Sequence, residues 1–94
     1  MFERRNYSDP LYKRWRSEVY KRDRRQCQLC KSKKKLEAHH IRTWSKFPQL
    51  RFDINNGVTL CRACHKKVTK NEEHWESLFI KIVARNNGKK KKDK

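Results

Sequence analysis

The sequence predicts a small α+β domain held together by a staple rather than by a large core. Three observations carry that prediction. The chain has 94 residues, of which 34% are hydrophobic, so one domain with a thin core is all it can build. Two Cys-x-x-Cys pairs, Cys27-Gln28-Leu29-Cys30 and Cys61-Arg62-Ala63-Cys64, provide the means of stapling it. Short β runs lie between the pairs, and helical apolar stripes flank them on both sides.

The first helix starts at Ser8-Asp9-Pro10, where a capping side chain precedes proline. Leu11, Trp15 and Val19 recur at four-residue spacing, with Tyr12 and Tyr20 beside them, and predict a helix ending near Asp23. Lys13, Arg14, Lys21 and Arg22 fall on its other face. Residues 1–7 read as frayed. Residues 36–41 read as a short strand and Val58-Thr59-Leu60 as a second. Between them, residues 42–57 form an irregular loop containing Trp44, Phe47 and Phe52, with a turn signal at Asn55-Asn56-Gly57. A short helix over residues 62–70 follows. Thr69 to Glu72 matches a capping box, and Trp75, Leu78, Phe79, Ile82 and Val83 predict a last helix ending at Asn86-Asn87-Gly88. Residues 1–88 are thus expected to form one domain, and residues 89–94 a disordered basic tail.

Two Cys-x-x-Cys pairs outside any oxidising context read as four thiolate ligands of one structural Zn²⁺. A disulfide framework needs an oxidising compartment, and a redox Cys-x-x-Cys needs a thioredoxin-like setting; neither is indicated. Such a zinc site supplies about 10 kcal/mol or more of folding free energy, enough to offset a thin core.

The charge points to the partner. Twenty-seven Lys and Arg against ten Asp and Glu give +17. Residues 1–35 contribute +9, residues 36–60 only +1, and residues 61–94 contribute +7. Basic flanks around a nearly neutral centre predict a polyanion partner, nucleic acid rather than a membrane. No stretch approaches the roughly 20 apolar residues of a membrane span. The N-terminal residues lack the apolar run of a signal peptide, so a cytoplasmic location is expected.

Four histidines remain: His39, His40, His65 and His74. His39 and His40 are neighbours on a strand and point to opposite faces. His65 directly follows Cys64, so the zinc knuckle fixes its place at the start of the short helix. His74 is expected on the surface of the last helix. Trp15, Trp75 and Phe79 lie on apolar helical faces and read as core.

Ala38-His39-His40-Ile41, then Asn55-Asn56-Gly57-Val58-Thr59-Leu60-Cys61, then Arg62-Ala63-Cys64-His65 resemble the signature of the HNH endonucleases. The likeness spans residues 23–68 and includes both cysteine pairs and the preceding Arg22-Asp23. It implies a ββα-metal (His-Me finger) motif stapled by a four-cysteine structural zinc, with flanking N- and C-terminal helices. It further implies that His39 and His65 hold a catalytic divalent ion, which Mg²⁺, Mn²⁺, Ni²⁺ or Zn²⁺ could each supply. His40 is the implied general base. Asn56 is the implied motif asparagine that braces the loop, with Asn55 the alternative. Arg42 is a candidate phosphate contact and Glu37 a candidate partner of a metal ligand. A histidine of ordinary pKa, about 6.5, suits proton abstraction from water near neutral pH.

The implied activity is hydrolysis of DNA phosphodiester bonds, by nicking, double-strand cleavage or both, on double-stranded DNA. The implied products are 5′-phosphate and 3′-hydroxyl ends. A monomer or weak dimer is expected. The size and basicity are similar to small freestanding HNH proteins of tailed bacteriophages, some of which act beside a packaging terminase. That likeness implies the host cytoplasm as the site of action. The alternative is a zinc-stapled nucleic-acid-binding module without catalysis.

Overall fold

The computed structural model describes residues 8–92, and of residues 89–92 only the backbone. The frayed start expected over residues 1–7 and the last two residues of the expected tail lie outside the described residues. The element order is α1 (Pro10–Arg22), β1 (Leu36–His40), β2 (Gly57–Cys61), α2 (Arg62–Val68) and α3 (Glu72–Lys92), with 3-10 turns at Pro48–Leu50 and Ile54–Asn56. The described residues form a small α+β fold with a two-stranded antiparallel sheet, three helices and a four-cysteine cluster, consistent with the ββα-metal architecture.

The cap of α1 is the one its sequence predicts. The Asp9 carboxylate accepts the Leu11 amide at 2.9 Å and Pro10 occupies the first turn. The buried stripe keeps Trp15 and Val19 and differs at its first position. Tyr12, Trp15, Val19 and Arg22 are buried, while Leu11 is 55% exposed. Tyr12 outcompetes Leu11 because its larger ring reaches Trp15 and Trp44 beneath the helix.

Arg22 also departs from its predicted exposed face. Its Nε and Nη2 donate to the two Asp23 carboxylate oxygens at 2.9 and 2.8 Å. Its Nη1 and Nη2 also donate to the carbonyls of Ile54 at 2.8 Å and Gly57 at 2.6 Å. Asp23 further accepts the Thr59 amide at 2.9 Å and Asn86 Nδ2 at 2.8 Å. A buried ion pair is tolerated only when its donors and acceptors are saturated, and this one is. It ties the end of α1 to β2, to the loop before it and to α3.

β1 and β2 pair with Ala38 opposite Thr59, His39 opposite Val58 and His40 opposite Gly57. One face of this hairpin meets α1. The other packs with Phe79, Ile82 and Val83 of α3, with Val68 of α2 and with the cysteine cluster. Gly57 is extended (φ −130°), so the Asn-Asn-Gly segment does not require left-handed glycine. Close approach is the reason for glycine. An added Cβ would stand 2.6 Å from both Trp15 Cζ2 and Val19 Cγ2.

Two further expectations are corrected. Thr69 does not cap α3; its hydroxyl donates back to the His65 carbonyl at 2.8 Å and closes α2. Nor does the last helix stop at Asn86-Asn87-Gly88; α3 runs through Gly88 to Lys92, so the tail expected as disordered from residue 89 begins as helix. Side-chain amides hold the helix there. Asn86 Nδ2 also reaches Gln28 Oε1 at 3.0 Å, and Asn87 Nδ2 donates to Asn55 Oδ1 at 3.1 Å. Among the described residues, no helix is long and apolar enough to cross a membrane.

Candidate metal centre and histidine cleft

The two Cys-x-x-Cys pairs come together. All four sulfurs lie within 4.8 Å of one another, and Cys30 and Cys61 Sγ are 3.5 Å apart. A Zn²⁺ bound tetrahedrally at about 2.3 Å from each thiolate sets the sulfurs about 3.8 Å apart, so the donor set fits. The amides of Leu29 and Cys30 both point at Cys27 Sγ from 3.4 Å. Burial raises the Cys27 thiol, but amides of Cys30, Cys61 and Leu29 outweigh it and bring its pKa down to about 6. Burial, reinforced by hydrogen bonds from the other thiols, pushes Cys64 up to about 12. One thiolate is therefore ready near neutral pH, while Cys64 gives up its proton as a metal arrives.

The strand alternation separates the histidine pair as its sequence predicts. His39 faces α2 and α3, its ring 5.1 Å from that of His65 and 5.7 Å from that of Phe79. His40 faces α1 and stacks on Trp15, with Trp44 edge-on at 5.4 Å. A cleft of about 220 Å³ joins the two sides, with His39, His40, His65, Thr43, Thr69 and Glu72 in its lining.

The protonation pattern can be read from the partners. His40 Nε2 lies 2.9 Å from the Arg51 carbonyl, which can only accept, so Nε2 carries the proton and Nδ1 is the basic nitrogen. His65 Nδ1 meets the Glu37 carboxylate, so Nε2 is the nitrogen that could accept a metal ion. Glu37 thus partners His65, and Arg62 Nε lies 3.6 Å from its other oxygen.

Asn56 braces the loop between the strands. Its Oδ1 accepts the Arg42 amide at 2.8 Å. Its Nδ2 donates to the carbonyls of Arg42 at 3.1 Å and Leu50 at 3.2 Å. Asn55 instead faces Asn87 at the surface. Arg42 itself pairs with Glu76 at 2.9 Å and lies over the Phe47 ring, in a neighbouring hollow of about 550 Å³. His74 is exposed on α3.

Several residues of the site carry no motif. Tyr12, Trp15 and Trp44 wall in His40, and Glu72 enters the cleft from the start of α3. Only the helical stripe hinted at Tyr12 and Trp15; nothing local marked the other two.

Fold and centre together define a zinc-type ββα-metal domain. Residues 27–71, a little under half of the chain, match the family model described as HNH endonuclease. The match leaves α1 and most of α3 outside it. Among curated proteins and among solved structures, nothing matches this chain.

Proposed function

We propose that the protein is a metal-dependent DNA endonuclease whose residues 1–88 act as one nuclease domain, with His40 as general base. The observation that carries this reading is the single cleft shared by His39, His40 and His65, with the two flanking imidazoles already tied through their other nitrogens. His39 and His65 Nε2 would hold one divalent ion, Mg²⁺, Mn²⁺, Ni²⁺ or Zn²⁺, which supplies positive charge at the phosphate undergoing substitution. His40 Nδ1 takes the proton of the attacking water, and the Arg51 carbonyl keeps the ring in the tautomer that allows it. Glu37 orients His65 by accepting from Nδ1. Asn56 holds the loop that carries the Arg51 carbonyl. Arg42 would contact phosphate only by leaving Glu76.

Double-stranded DNA is the substrate we assign, on the strength of the family and the +17 charge. A monomer or weak dimer in a bacterial host cytoplasm, beside a phage packaging terminase, completes the reading; a pull-down with a large terminase subunit tests that last part. Supercoiled plasmid incubated with zinc-loaded protein, with and without Mg²⁺ or Mn²⁺, tests the activity. Open-circle or linear product is expected with an added ion. Tight binding with no product under any ion would favour a non-catalytic zinc-stapled binding module.

A further inference from the structure

Among the described residues, five side-chain-bearing positions hold left-handed backbone: Arg24 (φ 60°), Arg25 (φ 53°), Lys31 (φ 69°), Lys35 (φ 53°) and Lys70 (φ 74°). All five are lysine or arginine. The chain has two glycines, and neither sits at positive φ. Left-handed backbone strains any residue with a Cβ and leaves glycine unstrained. Each position therefore keeps a cation where glycine would fit better. Backbone strain of this kind points to a use for the side chain.

Two of the five adjoin residues that line a groove, Arg25 through a backbone bond to Tyr20 and Lys35 as the chain neighbour of Leu36. A hollow of about 410 Å³, lined by Tyr12, Arg16, Tyr20, Glu37 and His65, shares Ala38 and His65 with the histidine cleft. The Arg25 amide donates to the Tyr20 carbonyl at 2.8 Å. Arg16 stands in the same lining as Tyr20. The Tyr20 hydroxyl donates to the carbonyl of Leu36, next to Lys35, at 3.1 Å. The Lys35 carbonyl accepts the Arg62 amide at 2.9 Å. Glu37, the carboxylate in this lining, is already engaged by His65 and Arg62.

The other end of the cleft differs. Past Thr43 and Glu72, the hollow holding Arg42, Lys46 and Lys70 also carries Glu72, Glu73 and Glu76. Three carboxylates beside three cations make it a poor track for phosphate.

We propose that Arg16, Arg25, Lys35 and Arg62 form a phosphate-binding rim that leads one strand of duplex DNA along the Tyr20 groove to His65. The proposal takes its ligand from the nuclease reading and adds the approach path, half of it built from α1 and the turn after it. Each cation donates charge-assisted bonds to a phosphate oxygen, so the rim positions DNA without reading its sequence.

The test is the double variant Arg25→Gly/Lys35→Gly in the full zinc-loaded chain. Binding of a short fluorescein-labelled duplex is followed by anisotropy between roughly 50 and 200 mM salt, with no added divalent ion. The expected result is a melting temperature at or above that of the wild type, because strain is relieved. Affinity should fall about tenfold, and the slope of log K against log salt should shrink by about 2. Arg16→Gln should shrink it by about 1. The comparison is Arg14→Ala/Lys21→Ala, which removes the same charge from the far side of α1 and should change the slope by much less. Binding by the double glycine variant equal to that of the Arg14/Lys21 variant would overturn the rim, as would a lowered melting temperature. Plasmid cleavage by the wild type is scored separately. Cleavage without the affinity loss overturns the rim alone, and affinity loss in a protein that never cleaves overturns the nuclease alone.

Discussion

The imidazole of His40 lies flat against the indole of Trp15, with ring centroids 4.0 Å apart and planes 10° from parallel. Trp15 belongs to α1, which precedes the segment matched by the family. Its Nε1 donates to the Asp53 carbonyl at 2.8 Å, so the indole is fixed before it fixes the histidine. Trp15→Phe keeps an aromatic face and loses that bond, at about 1 kcal/mol. Trp15→Leu loses the face as well. At a temperature where both remain folded by circular dichroism, plasmid cleavage should survive in the Phe variant and fall at least tenfold in the Leu variant. Equal rates in the two would show that the stack is packing only.

Gly57 stands opposite His40 on the paired strand. Gly57→Ala places a methyl against Trp15 and Val19, both of them buried. Overpacking of this kind costs about 1–3 kcal/mol. Urea denaturation should report a loss in that range, and a silent substitution would contradict the close approach.

Glu37→Ala removes the acceptor for His65 Nδ1. Loss of such a partner weakens metal binding or activity by about 10–100-fold. Titration of the zinc-loaded protein with Mn²⁺, read by electron paramagnetic resonance, should show that weakening with zinc content unchanged. Unchanged Mn²⁺ affinity would remove Glu37 from the site.

The cysteine cluster links metal loading to pH. Cys27, with its pKa lowered to about 6, is ionised at neutral pH and becomes protonated as pH falls through that value. In the metal-free fold its stabilising effect is therefore present above the ordinary thiol range and lost as pH drops through about 6. Zinc entering at pH 5 must displace that proton, and at pH 7.5 it need not. Calorimetry in buffers of different ionisation enthalpy should find about one more proton released per zinc at pH 5 than at pH 7.5. A pH-independent release would contradict the role of the amides around Cys27. Stripping the zinc should lower the melting temperature steeply.

Much of this was legible from residue order. The Asp9-Pro10 cap, the two strands, the convergence of four cysteines and the opposed faces of His39 and His40 all follow from local rules of spacing. What was not legible depends on partners far along the chain. Leu11 and Tyr12 are both apolar neighbours, and only the position of Trp44 decides which turns inward. Arg22 reads as a surface cation until Ile54, Gly57 and Asp23 saturate it. Gly88 reads as a helix stop until Asn86 and Asn87 are seen gripping the body on the turn before it. Nothing near Arg42 in the sequence announces the Glu76 carboxylate that pairs with it.

The central claim is that His40 abstracts the proton in a metal-dependent cleavage. It is tested most directly by His40→Ala beside the wild type on supercoiled plasmid with Mn²⁺, with zinc content measured in both. The account predicts equal zinc and a loss of cleavage of at least about 10²-fold. A variant that retains its zinc and cuts as fast as the wild type would contradict it.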